Sequence, residues 1–456
     1  MLRKYLKHAL IILGLLIVIA AVAFWFLTRP DVARLSEDDV TGTIPKLGQE
    51  RPASIPTMKV APVVGWQGGA KPIPAKGLKV EAFAGGLDHP RWLYRLPNGD
   101  ILVAETNSPP RKVGGVTGMV MGSLMKKAGA ASPSANRITL LRDTNGDGVA
   151  DQKTAFLTGL NSPYGMVLVG DWLYVGNTDA LVRFPYKTGD TAITAKAEKI
   201  IDLPGGGNHW ARNVIAAPDG KSLYVAVGSS TNIAENGLAD EGAIYSGNGG
   251  YKGARAVILE VYPDRKTARV FAWGIRNTNG MAIEPHSGVL WAVVNERDML
   301  GSDMPPDYLT RVDLGTFYGW PWNYWGGHVD KRVQPERPDL IQYSKRPDFA
   351  LGPHVAPLGL TFATDAKLGP DFSDGAFIGL HGSWNREPLS GYKVVYVPFG
   401  ADGFPAKGAH PVPFLTGFID DKGNARGRPV GVITDATGAL LVADDVGNIV
   451  WRVSPQ

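Results

Sequence analysis

Six copies of one short pattern run through this chain, and such a repeat leaves few folds open. Each copy begins at a small or turn residue, runs as an apolar strand, turns at Pro, Asp or Gly, and returns as a second apolar strand ending in polar residues. The copies start at His89 (HPRWLYRLPNGDILVAE), Ser162 (SPYGMVLVGDWLYVG), His209 (HWARNVIAAPDGKSLYVAVG), Asn277 (NTNGMAIEPHSGVLWAVVNE), Ala356 (APLGLTFATDAKLGPDFSDGAFIGLHGS) and Gly427 (GRPVGVITDATGALLVADD). A hairpin that cannot bury its own faces stacks on its neighbours, so the pattern predicts an all-β, six-bladed β-propeller with one blade per copy. Successive copies start 73, 47, 68, 79 and 71 residues apart, more than the roughly 40 to 45 residues of a minimal four-stranded blade. The surplus forms loops over one face, where the polar strand ends converge on the channel and a site is expected.

The first residues are different in kind. Ala9 to Leu27 is an uncharged apolar run of 19 residues behind Arg3, Lys4 and Lys7, near the roughly 20 residues that cross a bilayer. Basic residues in front of such a run stay on the cytoplasmic side, which puts the ring in the periplasm. Ala21-Val22-Ala23 also has the small-x-small form of a signal-peptidase site, so a cleavable signal is the rival reading. The expected organisation is a cytoplasmic tip and transmembrane anchor at 1–28, a Pro- and Asp-rich linker at 29–76, and the propeller at 77–456. With no cysteine in the chain, disulfides, thiolate metal sites, a cysteine nucleophile and covalent haem attachment are excluded. The net charge of +4 includes no basic run beyond the N-terminus, which gives nucleic acid no footprint.

Several residues carry chemistry. Asp143, Asn145, Asp147 and Asp151 stand at positions 1, 3, 5 and 9 of a glycine-containing loop, a spacing that suits calcium and equally an Asx-rich turn. His209 follows three glycines and opens the third copy, where a general base is expected; packing or capping is its alternative role. Arg212, Arg276, Asn277, Arg386, Lys393 and Arg428 lie at strand starts from several blades. Cations gathered on one axis call for a ligand with several negative charges, unless each is an inter-blade staple. Glu296, with Asp298, Asp303 and Asp307, forms an acidic loop that is either a cation site or a solvated turn. The insertion from Asn107 to Arg137, with Met119, Met121, Met125 and Lys126-Lys127, reads as a short amphipathic helix or a plain loop.

Taken in order, Gly206-Gly-Asn-His-Trp-Ala-Arg212, Val227-Gly-Ser-Ser-Thr-Asn-Ile233, Gly274-Ile-Arg-Asn277, Arg297-Asp-Met-Leu-Gly-Ser-Asp303, Tyr318-Gly-Trp-Pro-Trp322, His381-Gly-Ser-Trp-Asn-Arg386 and Gly427-Arg-Pro-Val-Gly431 resemble the sorbosone dehydrogenase family, a relative of the soluble quinoprotein glucose and aldose dehydrogenases. The resemblance runs from about residue 77 to the C-terminus. It implies pyrroloquinoline quinone (PQQ) and calcium on the central face, with His209 as the base for a sugar or hydrated aldehyde. Arg276, Asn277, Arg386 and Arg428 would bind or polarise the quinone, and a membrane quinone or periplasmic cytochrome c would accept the electrons. One departure stands out: the glucose dehydrogenases offer calcium a Gly-Pro segment where this chain has Asn295-Glu-Arg-Asp. Two other classes remain open, a metal-dependent propeller lactonase or hydrolase, which needs a carboxylate cage on the axis, and a non-catalytic propeller that binds a protein.

Overall fold

A computed structural model of the chain describes residues 2–53, 55–110, 114–241 and 250–456. In chain order, helix α1 (Leu2–Thr28) is followed by β1 (Ile73–Pro74) and β2 (Leu78–Gly85). The first blade is β3 (Pro90–Arg95), β4 (Ile101–Glu105), β5 (Arg137–Arg142) and β6 (Gln152–Leu157), with helix α2 (Gly115–Lys127) between β4 and β5. The second is β7 (Met166–Val169), β8 (Trp172–Gly176), β9 (Ala180–Pro185) and β10 (Glu198–Asp202). The third is β11 (Val214–Ala216), β12 (Leu223–Val227), β13 (Val257–Tyr262) and β14 (Thr267–Trp273). The fourth holds β15 (Thr278–Ile283), β16 (Leu290–Val294), β17 (Pro306–Val312) and β20 (Phe349–Pro353), with the hairpin β18 (Asn323–Tyr324) and β19 (His328–Val329) in its insertion. The fifth is β21 (Pro357–Phe362), β22 (Gly375–Leu380), β23 (Lys393–Pro398) and β24 (Val412–Thr416). The sixth joins β25 (Pro429–Thr434), β26 (Leu440–Asp444) and β27 (Ile449–Pro455) to β2, so the strand nearest the N-terminus closes the ring.

The six sequence copies are the inner hairpins of these six antiparallel blades. Turn chemistry at their far ends is local: Asp219 accepts the N–H groups of Lys221 and Ser222, and Asp435 those of Thr437 and Ala439. Glycines recur near the start of the inner strands because neighbouring blades meet there. A Cβ at Gly165 would lie 2.2 Å from Val214 N, and one at Gly359 2.1 Å from Val430 O. The core is correspondingly divided, with six apolar clusters each lying between one pair of adjacent blades. Leu102 and Leu173 share the cluster between blades one and two, and Phe83, Val103 and Leu441 share the one that closes the ring. Every blade thus buries two faces.

Arg3–Trp25 within α1 is long and apolar enough to cross a membrane, with a mean hydropathy of 2.6, and none of it is buried. The expected linker departs from a loose tether. Residues 29–75 hold little regular structure but form a strap bonded across the ring's loop-bearing face. Asp31 pairs with Arg51 at 2.9 Å, Asp303 accepts from Arg34 N and Arg51, and Trp66 Nε1 donates to Asp444 at 2.7 Å. The strap ends in β1, which adds a fifth strand to the fifth blade.

Candidate functional site

Each blade's first strand runs away from the strap face and its second strand returns to it, so first-strand starts and second-strand ends form one ring of positions around the channel mouth. His209 stands in front of β11, with Nδ1 2.9 Å from both Ser229 O and Ser229 Oγ. Ser229 Oγ donates its own proton to Thr231 O at 2.8 Å. Both Ser229 oxygens therefore accept, Nδ1 carries the proton, and Nε2 is the basic nitrogen of the neutral ring. Gly228 makes room for this arrangement, since a Cβ there would lie 2.6 Å from His209 Cβ and 2.6 Å from Asn277 Oδ1. His209 and Asn277 are side by side at the mouth.

The other cations fare differently. Arg428 is 6% exposed; it sits 5.2 Å over the Tyr392 ring, donates to Tyr392 Oη at 3.3 Å, and makes no ion pair among the described residues. Its buried Nε has no hydrogen-bond partner among the described residues. Arg212, expected to clamp an anion, is fully buried, with its guanidinium on the carbonyls of Pro204, His209 and Ala211. It staples the loop that carries His209, and burial lowers its pKa to about 9. Arg276 serves Asn232 O, Asn232 Oδ1, Asn295 O and Glu296 O. Arg386 holds Ser302 O and Pro388 O, and Lys393 pairs with Glu37 of the strap. In these four the inter-blade or loop-stapling role applies: carbonyls and a strap carboxylate take up most of their donors, although Arg212 Nε is buried with no partner among the described residues.

The metal expectations also meet different geometry. Asp143 accepts Gly146 N and Gly148 N, Asn145 accepts Asp147 N, Asp147 accepts Val149 N, and Asp151 accepts both donors of Thr144. These are Asx-turn bonds at Asn145 and Asp147 and loop-closing bonds at Asp143 and Asp151, and the loop joins β5 to β6 on the face opposite His209. Glu296 is buried, with Oε2 accepting Arg297 N and Oε1 unpartnered. Burial raises its carboxyl to about 7. Asp303 is used by the strap, and Asp307 accepts Glu296 N and Ala356 N. Among the described residues no group of three or more His, Cys, Asp or Glu converges as a metal cage.

A charge cluster at the mouth escaped sequence reasoning. Asp445 Oδ2 lies 2.5 Å from Arg91 Nη1, 2.8 Å from His381 Nε2 and 3.5 Å from His89 Nε2. Burial alone would raise this carboxyl, but His381, His89 and Arg91 hold it well below the ordinary range. Burial in turn lowers His381 to about 4, against the pull of Asp445. Arg91 lies 5.9 Å over the Trp210 ring, which abuts Tyr164, so the cluster connects to the residue after His209. All three partners of Asp445 stand at a first-strand start or a second-strand end, the same positional rule that singled out His209 and Arg428. A cavity of about 610 Å³ lies instead at the opposite face, lined by Arg95, Asp365, Lys367 and Ala436. Arg95 and Asp365 are ion-paired there, and the lining residues include no histidine.

Comparison with known proteins follows this geometry. The TrAA12-like family model matches residues 72–307 and 340–456. A Borreliella burgdorferi protein of unstated function is 30% identical over 43% of this chain and 52% of its own length. The pyrroloquinoline quinone-dependent pyranose dehydrogenase of Coprinopsis cinerea is 36% identical over 24% of this chain and 16% of that protein. An aldose sugar dehydrogenase of Escherichia coli is 29% identical over 38% of this chain and 45% of that protein. The chain thus spans about half the length, or less, of the curated relatives it matches. Among solved structures, a Trichoderma reesei enzyme of carbohydrate-active family AA12 in its calcium form superposes with a TM-score of 0.66, at 18% identity over 88% of this chain and 99% of that one. The holo pyranose dehydrogenase domain from Coprinopsis cinerea gives 0.64, at 21% identity over 87% of this chain and all of that one. These likenesses show the fold.

Proposed function

The chain belongs to the TrAA12-like family, and from that premise we propose that it is a quinoprotein dehydrogenase that oxidises a sugar or a sugar-derived aldehyde with PQQ. The observation that carries the reading is His209, held with Nδ1 on Ser229, beside Asn277 on the same mouth as a buried arginine with no counter-ion among the described residues. Likeness to a PQQ-dependent pyranose dehydrogenase and to an aldose sugar dehydrogenase supports the substrate class. Sorbosone itself is the finer expectation from the motifs.

The cofactor is a tricarboxylate, and the residues present fit it in part. Arg428 Nε and Arg91 Nε are buried donors with no partner among the described residues, which a carboxylate would satisfy. Asn277 makes no side-chain hydrogen bond among the described residues and would reach a quinone oxygen. Bound PQQ supplies a two-electron acceptor for hydride. The chain's contribution is to take the hydroxyl proton at His209 Nε2, stabilise the resulting imidazolium through Ser229 O at Nδ1, and orient the ligand by Arg428 and Asn277. Among the described residues no group of three or more carboxylate or histidine ligands converges into a calcium cage, and no step is assigned to a metal. Electrons would pass to a membrane quinone or a periplasmic cytochrome.

The full chain in detergent, titrated with PQQ and assayed by dye reduction over aldoses and sugar aldehydes, tests the proposal. His209→Ala should keep quinone binding, read by tryptophan quenching, and lose about 10²- to 10⁴-fold in turnover. Failure of the wild-type chain to bind the quinone would sink the reading and move the search to lactones and protein partners.

A further inference from the structure

The channel mouth and the membrane anchor are closer than a linker would make them. Thr28 ends α1, and Asp31 is already fixed to the mouth loop: Ser302 N donates to Asp31 Oδ2 at 2.5 Å, Ser302 Oγ donates to Asp31 O at 2.6 Å, and Arg51 pairs with its other oxygen. Three residue steps span at most about 11 Å. At the end of α1, Arg29 lies 5.4 Å over the Trp25 ring, the kind of pair that sits at a lipid headgroup boundary. Across the same face stands α2, tied among the described residues at its C-terminal end, where Val63 N donates to Lys127 O and a Cβ at Gly129 would touch Val63 and Val446. Met119 is 70% exposed and Met121 and Met125 are also open, while Lys126 and Lys127 follow and the helix holds no acidic residue. Met58 and Trp384, adjacent through the bond from Lys59 N to Trp384 O, add exposed apolar surface on the mouth face.

We infer that the channel-mouth face of the propeller rests against the lipid surface, with α2 lying in the headgroup region as a second contact beside α1. The inference depends on α1 being an uncleaved anchor. The occupant is lipid and not a second protein because a tether of at most about 11 Å holds that face next to the bilayer that α1 enters. A helix that is apolar and basic, without acids, matches anionic headgroups. The mouth then opens toward the side from which a lipid-soluble electron acceptor arrives.

The absence of cysteine makes the test direct. The full chain carrying Met119→Cys, Met125→Cys or, on the opposite face, Lys221→Cys is labelled with an environment-sensitive dye and reconstituted into phosphatidylcholine vesicles containing phosphatidylglycerol. Nitroxide-headgroup lipid should quench labels at 119 and 125 several-fold more than at 221, and aqueous iodide should show the reverse order. A chain that resists carbonate extraction while 119 and 125 are as open to iodide as 221 would overturn the docking and leave the anchor standing. Release by carbonate would remove the anchor and the docking together.

Discussion

Glu296 shows how much of this site depends on single side chains. Its carboxyl is raised from 4.5 to about 7, chiefly by burial, with Arg276 pulling the other way. A raised carboxylate binds more protons folded than unfolded, so its cost to stability appears as pH climbs from 4.5 to 7 and is complete above that. A shift of this size corresponds to about 3 kcal/mol. Glu296→Gln should therefore unfold at higher temperature than the wild type at pH 8, with the gap closing toward pH 4.5 in calorimetric scans. A Gln variant less stable at pH 8 would mean that the carboxylate is charged and paired. His209 is the contrasting case, since its place at the mouth was readable from the repeat. The tautomer was not, because it depends on where Ser229, twenty residues later, sends its hydroxyl proton.

Loops and straps differ from their sequence expectation for a common reason. The Asp143–Asp151 segment has metal-loop spacing, but short polar side chains reach their own backbone first, and only coordinates show which bonds they make. Asp143→Ala removes two such bonds and should lower the melting temperature modestly, roughly 1 kcal/mol in stability, by the same amount with calcium or chelator. A loss seen only with calcium present would restore the cage. The strap reads as a linker because its contacts are spaced irregularly along the chain. Trp66 shows its weight, packing edge-on against Trp451 at 5.3 Å and Phe418 at 5.5 Å while donating to Asp444. Trp66→Ala should cost about 3 kcal/mol, at the low end for a truncated tryptophan because the ring is partly exposed, and chemical denaturation would show it. An unchanged midpoint would reduce the strap to a passive cover.

At the scale of the ring, stability depends on closure. Each core cluster belongs to two blades, and β2 supplies Leu78, Val80 and Phe83 to both clusters that flank the sixth blade. Deleting 78–85 would strip these side chains from both clusters and leave β27 with an open edge. The expected outcome in size-exclusion chromatography is the loss of the monomer peak to aggregates, with dye binding to exposed apolar surface. A monodisperse, cooperatively unfolding deletion variant would show that five complete blades hold the sixth without this strand.

What the amino-acid sequence determined by itself is the repeat, and through it the blade number, the inner hairpins and the mouth positions, because alternation, turn residues and close-approach glycines are local demands that each copy must meet. The apolar length of α1 was legible for the same reason. Only the tertiary structure decided which of the cations are spent on carbonyls, that Asp445 gathers Arg91, His89 and His381 from distant copies, and that residues 29–75 are a strap. Those outcomes depend on which buried donor meets which acceptor across the ring, and spacing along one strand of sequence carries no record of it.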